Sequence, residues 1–424
     1  MASPRKDWHL SAAVPHRLLL LTLALGAFGI GTDGLIISGL LDRIATDLEV
    51  SSAAAGQLIS VFALLYAVSA PVLATLTAKV GRKQLLLTAL AVFAFANVLG
   101  ATAPNYAVLM ASRALAALGA GLYLPCSMVV AVGVAPPERR GRAIALVVGG
   151  MSAATALGVP LGTLVGAIGS WRLSLLLVAV LATTAVIALA AALPQVPVPA
   201  KVTLRQRLAA ATHPQVWTAL ITNALACAGE FALFVYIGPL AMATTGTGPA
   251  GVSAFLLVWG CAALIGSAVG GRAADAFGGQ RAYAGAVAVL FCGLLLMALV
   301  TAVAPSGSWL TTGVFALTLV IISVGSWALP PAQNHRIAGL DIPEPTVAIS
   351  LNGSSSYLGL AIGGVLGGLA VGGGSMTTLA LAAAGAALLA LGALGLSAIV
   401  FGKRGGASAS HADTLEPMAE NRPS

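Results

Sequence analysis

Twelve apolar runs, each long enough to cross a bilayer as a helix, constrain this chain more than any other feature. They fall near residues 18–41, 54–77, 84–103, 107–134, 142–166, 172–193, 215–240, 251–274, 282–304, 309–332, 346–370 and 377–401. A spanning helix needs about 20 apolar residues, and backbone in lipid must bond within its own helix or within a closed barrel. Barrel strands would read as short alternating segments. The expected fold is therefore an all-α membrane protein of twelve transmembrane helices. Composition agrees, with 58% of residues hydrophobic and 8% charged, against about a quarter charged in a soluble protein. The first run is too long for a cleaved leader and leads directly into a second, so it is read as helix 1.

The net charge of +8 matters through its placement. With the amino terminus in the cytoplasm, eighteen of the twenty-one Lys and Arg residues fall in cytoplasmic segments. Only Arg43 and Arg172 lie on the other side, and Arg113 lies inside a run. The positive-inside rule then puts both termini in the cytoplasm, in a multi-pass protein of the cell membrane. The basic balance reports topology, so nucleic acid is not an expected partner.

Catalytic chemistry has little support. Cys126, Cys227, Cys261 and Cys292 all sit inside runs, without CxxC or Cys/His ligand spacing, and the histidines lie in loops or tails. Neither a metal site nor a disulfide framework is expected. No phosphate-binding loop is present, so neither a nucleotide cofactor nor ATP-driven work by this chain is expected.

The segment PQVPVPAKVTLRQRLAAATHP (194–214) is proline-rich and basic, and divides six runs from six. It reads as a cytoplasmic linker between an N-terminal bundle (18–193) and a C-terminal bundle (215–401). Residues 1–17 and 402–424 read as a cytoplasmic leading segment and a disordered tail. The halves echo one another: TLTAKVGRKQ follows helix 2 and GGRAADAFGGQR follows helix 8. Two six-helix repeats with buried polar groups between them is the architecture of a secondary transporter.

Asp33, in GIGTDGLIIS, is the most demanding residue. A carboxylate at mid-bilayer costs at least ~2.5–3.5 kcal/mol, a cost that makes sense where a proton must bind and leave inside the membrane. Glu230 lies equally far into helix 7, as a second proton site or as a counter-charge for cations. Arg113 cannot shed its charge and must find a carboxylate, carbonyls or water.

GTDGLIISGLLDRIATDLEVS (31–51) and AGQLISVFALLYAVSAPVLA (55–74) resemble the first two helices of the major facilitator superfamily. So do the gate-motif remnant Lys79, Gly81, Arg82, Lys83, the Arg113 motif SRALAALGAG, GGMSAATALGVPLGT in helix 5 and LNGSSSYLGLAIGGVLGG in helix 11. Within that superfamily the chain is similar to twelve-helix drug:proton antiporters, the group of chloramphenicol exporters and arabinose- and nucleoside-efflux permeases. Departures stand at Asp33, one place before the family glutamate position at Gly34, and at Asp42, where the family has proline. Ala78 and Ala74 replace two further motif residues, while Gly271, Asp275 and Gly278 remain in the second copy.

The resemblance implies a proton-driven exporter of small amphipathic molecules such as phenicols, working by alternating access. The alternatives are export of nucleosides, sugars or another metabolite, or proton-coupled import. It implies proton coupling by Asp33, Glu230 and Arg113. A cavity lined by Phe28, Phe62, Tyr66, Tyr123, Asn223, Phe231, Tyr236 and Asn352 is expected. Gating falls to Gly81, Arg82, Lys83 and Asp275, and to Gly158, Pro160 and Gly162 in helix 5. The expected partners are a small-molecule substrate, protons and the lipid bilayer, with the chain acting as a monomer.

Overall fold

The computed structural model describes residues 16–77, 79–136, 139–193, 213–340, 342 and 345–413. Most of the expected linker (194–212), residues 1–15, Ala78 and the last part of the tail (414–424) lie outside them. Twelve long helices cross from end to end. They are α1 (His16–Asp47), α2 (Ser52–Leu76), α3 (Arg82–Ala101), α4 (Tyr106–Val134), α5 (Arg140–Ile168) and α6 (Trp171–Ala192). The second six are α7 (Pro214–Val235), α8 (Pro249–Phe277), α9 (Gly279–Val303), α10 (Trp309–Ala338), α11 (Pro345–Gly372) and α12 (Met376–Asp413). A short helix, Ile237–Thr245, continues α7. We call the end where α1 begins and α12 ends the terminal end, and the opposite one the far end.

Local chemistry sets the helix ends. Ser51, Asn105 and Ser308 each accept a first-turn backbone N–H, at α2, α4 and α10, as N-cap residues do. Helix α1 overruns its apolar stretch by six residues, to Asp47, because its polar end finds partners. Arg43 donates to the carbonyls of Gly166 and Gly169, and Asp47 pairs with Arg172 at 2.5 Å. Helix α12 likewise passes the expected end at 401 and runs to Asp413. No proline interrupts it, and extending a formed helix is far easier than starting one.

Helix α5 carries a π turn at Ala154–Gly158. Pro160 has no N–H to offer the carbonyl of Ala156, and the wider turn just upstream absorbs the missing bond.

Within the first half, α1 packs on α5 and α6, α2 on α4, and α3 on α4 and α6. Within the second, α7 packs on α11 and α12, α8 on α10, and α9 on α10 and α12. This is the same set displaced by six helices. Small residues make the closest seam of each half. Gly158, Gly162 and Gly166 of α5 receive Thr32, Ile36 and Leu40 of α1. Gly359, Gly363 and Gly367 of α11 lie against Ala224, Ala228 and Ala232 of α7. One glycine per turn lets two backbones approach where side chains would hold them apart.

Candidate functional site

The structure answers the question raised by Arg113. Its Nη1 donates to Asp33 Oδ1 at 2.7 Å and its Nη2 to the Asp33 backbone carbonyl at 3.2 Å. Asp33 is 0% exposed and Arg113 1% exposed, so the pair has left water altogether. The sequence left the acceptor of Arg113 open between a carboxylate, carbonyls and water, and the packing of α4 on α1 supplies both the Asp33 carboxylate and its backbone carbonyl. The pair is not saturated: Asp33 Oδ2, Arg113 Nε and the neighbouring Asn97 Oδ1 are buried without a hydrogen-bond partner among the described residues.

From this pair a chain of aromatic contacts crosses between the halves. The Arg113 guanidinium lies 4.7 Å above the ring of Phe62. Phe62 is followed one helical turn later by Tyr66, with ring centroids 6.5 Å apart. Tyr66 stacks on Tyr357 of α11 at 3.7 Å and 25°. Tyr357 belongs to the other half. A guanidinium over an aromatic face and a stacked ring pair are each favourable by roughly 0.5–1.5 kcal/mol. The buried charge pair thus touches the domain interface through two rings.

Closer to the far end the halves are clasped. The Tyr236 hydroxyl donates to the carbonyl of Gly364 at 3.0 Å and reaches that of Ala53, across the interface, at 3.5 Å. Gly56 makes room for that hydroxyl, and Gln57 also donates to Gly364. Gly238 lies 3.1 Å, measured from the position of a Cβ, from the Ser38 carbonyl, and Asp42 Oδ2 is 3.9 Å from the same point. At mid-depth Gly260 of α8 meets Thr155 and Ala156 in the π turn of α5. Among the described residues these bonds, stacks and close contacts between halves all lie from mid-depth to the far end. The far end is shut.

The expected cavity residues divide. Phe62 and Tyr66 stand in the aromatic chain, and Tyr236 in the far-end clasp. Tyr123 is fully buried between α4 and α1, its hydroxyl bonded to the Leu23 carbonyl at 2.9 Å and its ring over Gly26. It has no surface for a ligand in this conformation. Phe28 packs on Gly158, and Phe231 meets Phe234 edge-on. Asn223 donates to Ser355 and Ser356, and Asn352 to Asn334, so both tie helices of the second half together.

Glu230 is 6% exposed and forms no ion pair among the described residues. Its symmetry with Asp33 is one residue out. Gly158 faces Phe28 and Thr32 as Gly359 faces Ala224 and Ala228. That register sets Gly229 opposite Asp33 and Glu230 opposite Gly34.

Of the expected gate residues, Lys83 donates to the carbonyl of Ala190 in the last turn of α6 at 2.9 Å. Gly81 caps α3, where an added Cβ would meet nothing within 4 Å among the described residues, and Arg82 Nε is buried without a hydrogen-bond partner among them. Asp275 is exposed and has no ion pair among the described residues, so this conformation shows no lock there. Gly158 and Gly162 are spent on α1, within their own half.

Two cavities were not foreseen. One, about 520 Å³, lies at the far end between Asp42, Asp47 and Trp171 of the first half and Gly238, Met242 and Val252 of the second. The other, about 250 Å³, lies at mid-depth between α5, α8 and α10. Its Trp327 is legible in sequence as a lone indole in a run of small residues; its serines carry no such signal.

Two repeated six-helix bundles, shut at one end around a buried ion pair, define a membrane transporter rather than an enzyme. The pattern described as Major Facilitator Superfamily matches residues 23–340, and the chain belongs to that family. It is similar to the inner membrane transport protein YdhP of Escherichia coli (strain K12), at 34% identity over 84% of this chain and 89% of that one. It is also 34% identical to the chloramphenicol resistance protein of Streptomyces lividans, over 61% of this chain and 67% of that protein. A bacterial homolog of the human lysosomal transporter Spinster, solved inward-facing and unoccupied, shares the fold. The TM-score is 0.70 at 17% identity, covering 92% of this chain and 96% of that one.

Proposed function

We propose that the protein is a proton-driven exporter of small amphipathic molecules in the cytoplasmic membrane, with both termini in the cytoplasm. The observation that carries this reading is the Asp33–Arg113 pair, sealed from water at 2.7 Å and joined through Phe62 and Tyr66 to Tyr357 of the opposite half. Orientation follows from the lysines and arginines gathered at the terminal end. With that end cytoplasmic, the far-end clasp makes this the inward-facing state.

In that state Asp33 is ionised and holds Arg113. When the halves rock and the far end opens, a proton reaching Asp33 from outside removes the charge that Arg113 was paired with. The guanidinium then seeks other acceptors, and the contacts that run from it through Phe62 to the interface change. A ligand or proton shifts such an equilibrium only by the difference in its affinity for the two states, and a charge pair made in one state and broken in the other supplies that difference. Return of the proton to the cytoplasm across ~100 mV releases about 2.3 kcal/mol, enough for roughly fifty-fold accumulation of substrate outside. The efflux reading also draws on the resemblance to the chloramphenicol resistance protein.

The test is proton movement in energised inside-out vesicles, followed with a pH-sensitive dye. Phenicols, fluoroquinolones, nucleosides, sugars and organic cations are added in turn. Substrate-evoked proton release by wild type, absent in Asp33→Asn, is expected. An undiminished response in Asp33→Asn would refute Asp33 as the coupling site. Downhill uptake with no proton response would refute export.

A further inference from the structure

The mid-depth cavity of about 250 Å³ is lined by Ser152 of α5, by Ala263, Leu264, Ser267 and Ala268 of α8, and by Trp327 of α10. It opens just on the terminal side of the point where Gly260 meets Ala156, which is where α5 and α8 part. One wall comes from each half. A ligand held there would therefore feel the rocking motion directly.

Its chemistry is specific. Among the described residues, no Asp, Glu, Lys, Arg or His lines it. Both intramembrane acids are withdrawn from it: Asp33 has no exposed surface and is paired with Arg113, and Glu230 is 6% exposed and on neither wall. A cation brought into such a site would give up part of its hydration and find no counter-charge in return. What the cavity does offer is an indole face, the apolar walls of Ala263, Leu264 and Ala268, and hydroxyls. Ser152 Oγ makes one long bond, 3.3 Å to the Val148 carbonyl. Ser267 Oγ and the Trp327 N–H have no hydrogen-bond partner among the described residues. Those groups suit a ring that stacks on Trp327 and carries acceptor oxygens.

We propose that this α5–α8–α10 cavity is the substrate site, and that its ligand is a small, uncharged aromatic amphipath. The proposal rests on the exporter reading only for the direction of transport. It separates the site of the substrate from the site of the proton. The two are coupled through the relative position of the halves, and no drug competes with a proton for the Asp33 carboxylate. Trp327 gives the ring its stacking surface, and Ser152 and Ser267 read its acceptors.

The experiment is equilibrium dialysis of the purified full-length protein in lipid nanodiscs. The probes are radiolabelled chloramphenicol, as a neutral aromatic amphipath, and tetraphenylphosphonium, as a permanent aromatic cation. Saturable chloramphenicol binding is expected, weakened about tenfold by Trp327→Leu, as loss of stacking and buried area implies. Trp327→Phe should recover most of it, which separates lost stacking from misfolding. Ser267→Ala should weaken it a few-fold, as loss of one hydrogen bond implies. The proposal is overturned if wild type fails to bind chloramphenicol, if Trp327→Leu binds as wild type does, or if tetraphenylphosphonium saturates the protein at equal affinity. The exporter reading fails separately. Chloramphenicol binding with these dependences, but without substrate-evoked proton movement, sinks antiport and leaves the site standing. Proton-coupled export of a cation by a protein that binds no neutral probe does the reverse.

Discussion

Replacing Asp33 by asparagine would strand Arg113, and the size of the effect follows from where the pair sits. Both side chains are sealed, at 0% and 2% exposure, with one ion-pair contact of 2.7 Å between them. Removing one partner of a buried pair typically costs about 3–5 kcal/mol, mostly because the other charge is left without compensation. Removing both is far milder for the same reason. Asp33→Asn alone should thus lower the thermal midpoint on the order of 10 °C, taking each six-helix half as a unit of ordinary heat of unfolding. Arg113→Leu should cost less than Asp33→Asn, since a lone carboxyl can neutralise itself by binding a proton while a guanidinium cannot. The double variant should recover most of the loss. Thermal unfolding in detergent, followed through the reactivity of the buried Cys126 and Cys227 thiols, measures all four proteins. Additive losses, with the double variant worse than either single, would refute the reasoning, because they would mean that each side chain is held by something other than its partner.

Four more outcomes are expected. Tyr66→Leu removes a ring stacked across the halves at 3.7 Å. The loss of roughly 0.5–1.5 kcal/mol should raise the far-end-open population about 2- to 12-fold, read as faster labelling of a cysteine placed at the buried, interface-facing Leu256; unchanged labelling would count against it. Tyr236→Phe deletes the hydroxyl that reaches the Ala53 carbonyl across the interface at 3.5 Å, and about 1 kcal/mol less clasp should speed the same labelling several-fold. Gly260→Ala puts a Cβ onto the backbone of Ala156, 2.8 Å from the Thr155 carbonyl, and should abolish transport while the protein still inserts. Gly149→Ala, where a Cβ meets nothing within 4 Å, should transport as wild type does.

Much of this molecule is legible in its sequence, for a physical reason. A bilayer demands long apolar helices with their backbone bonds satisfied internally, so hydropathy alone marks twelve spans. Asp33 and Arg113 stand out for the same reason, since a charge in lipid is conspicuous whatever surrounds it. Side-chain partnership is another matter. Nothing in the order of residues says that Arg113, eighty positions away, reaches Asp33, that Tyr66 stacks on Tyr357, or that Tyr123 spends its hydroxyl on a neighbouring carbonyl. These depend on helix rotation and crossing, which small residues such as Gly158, Gly162 and Gly359 set by letting particular turns approach. The one-residue offset between Asp33 and Glu230 arises the same way: sequence distance made them equivalent, and the glycine seams, which fix the register of α1 on α5 and of α7 on α11, did not. Only the packed structure could bring Ser152, Ser267 and Trp327 to one cavity, because a cavity is the space that helices from both halves leave between them, and no single segment encodes it.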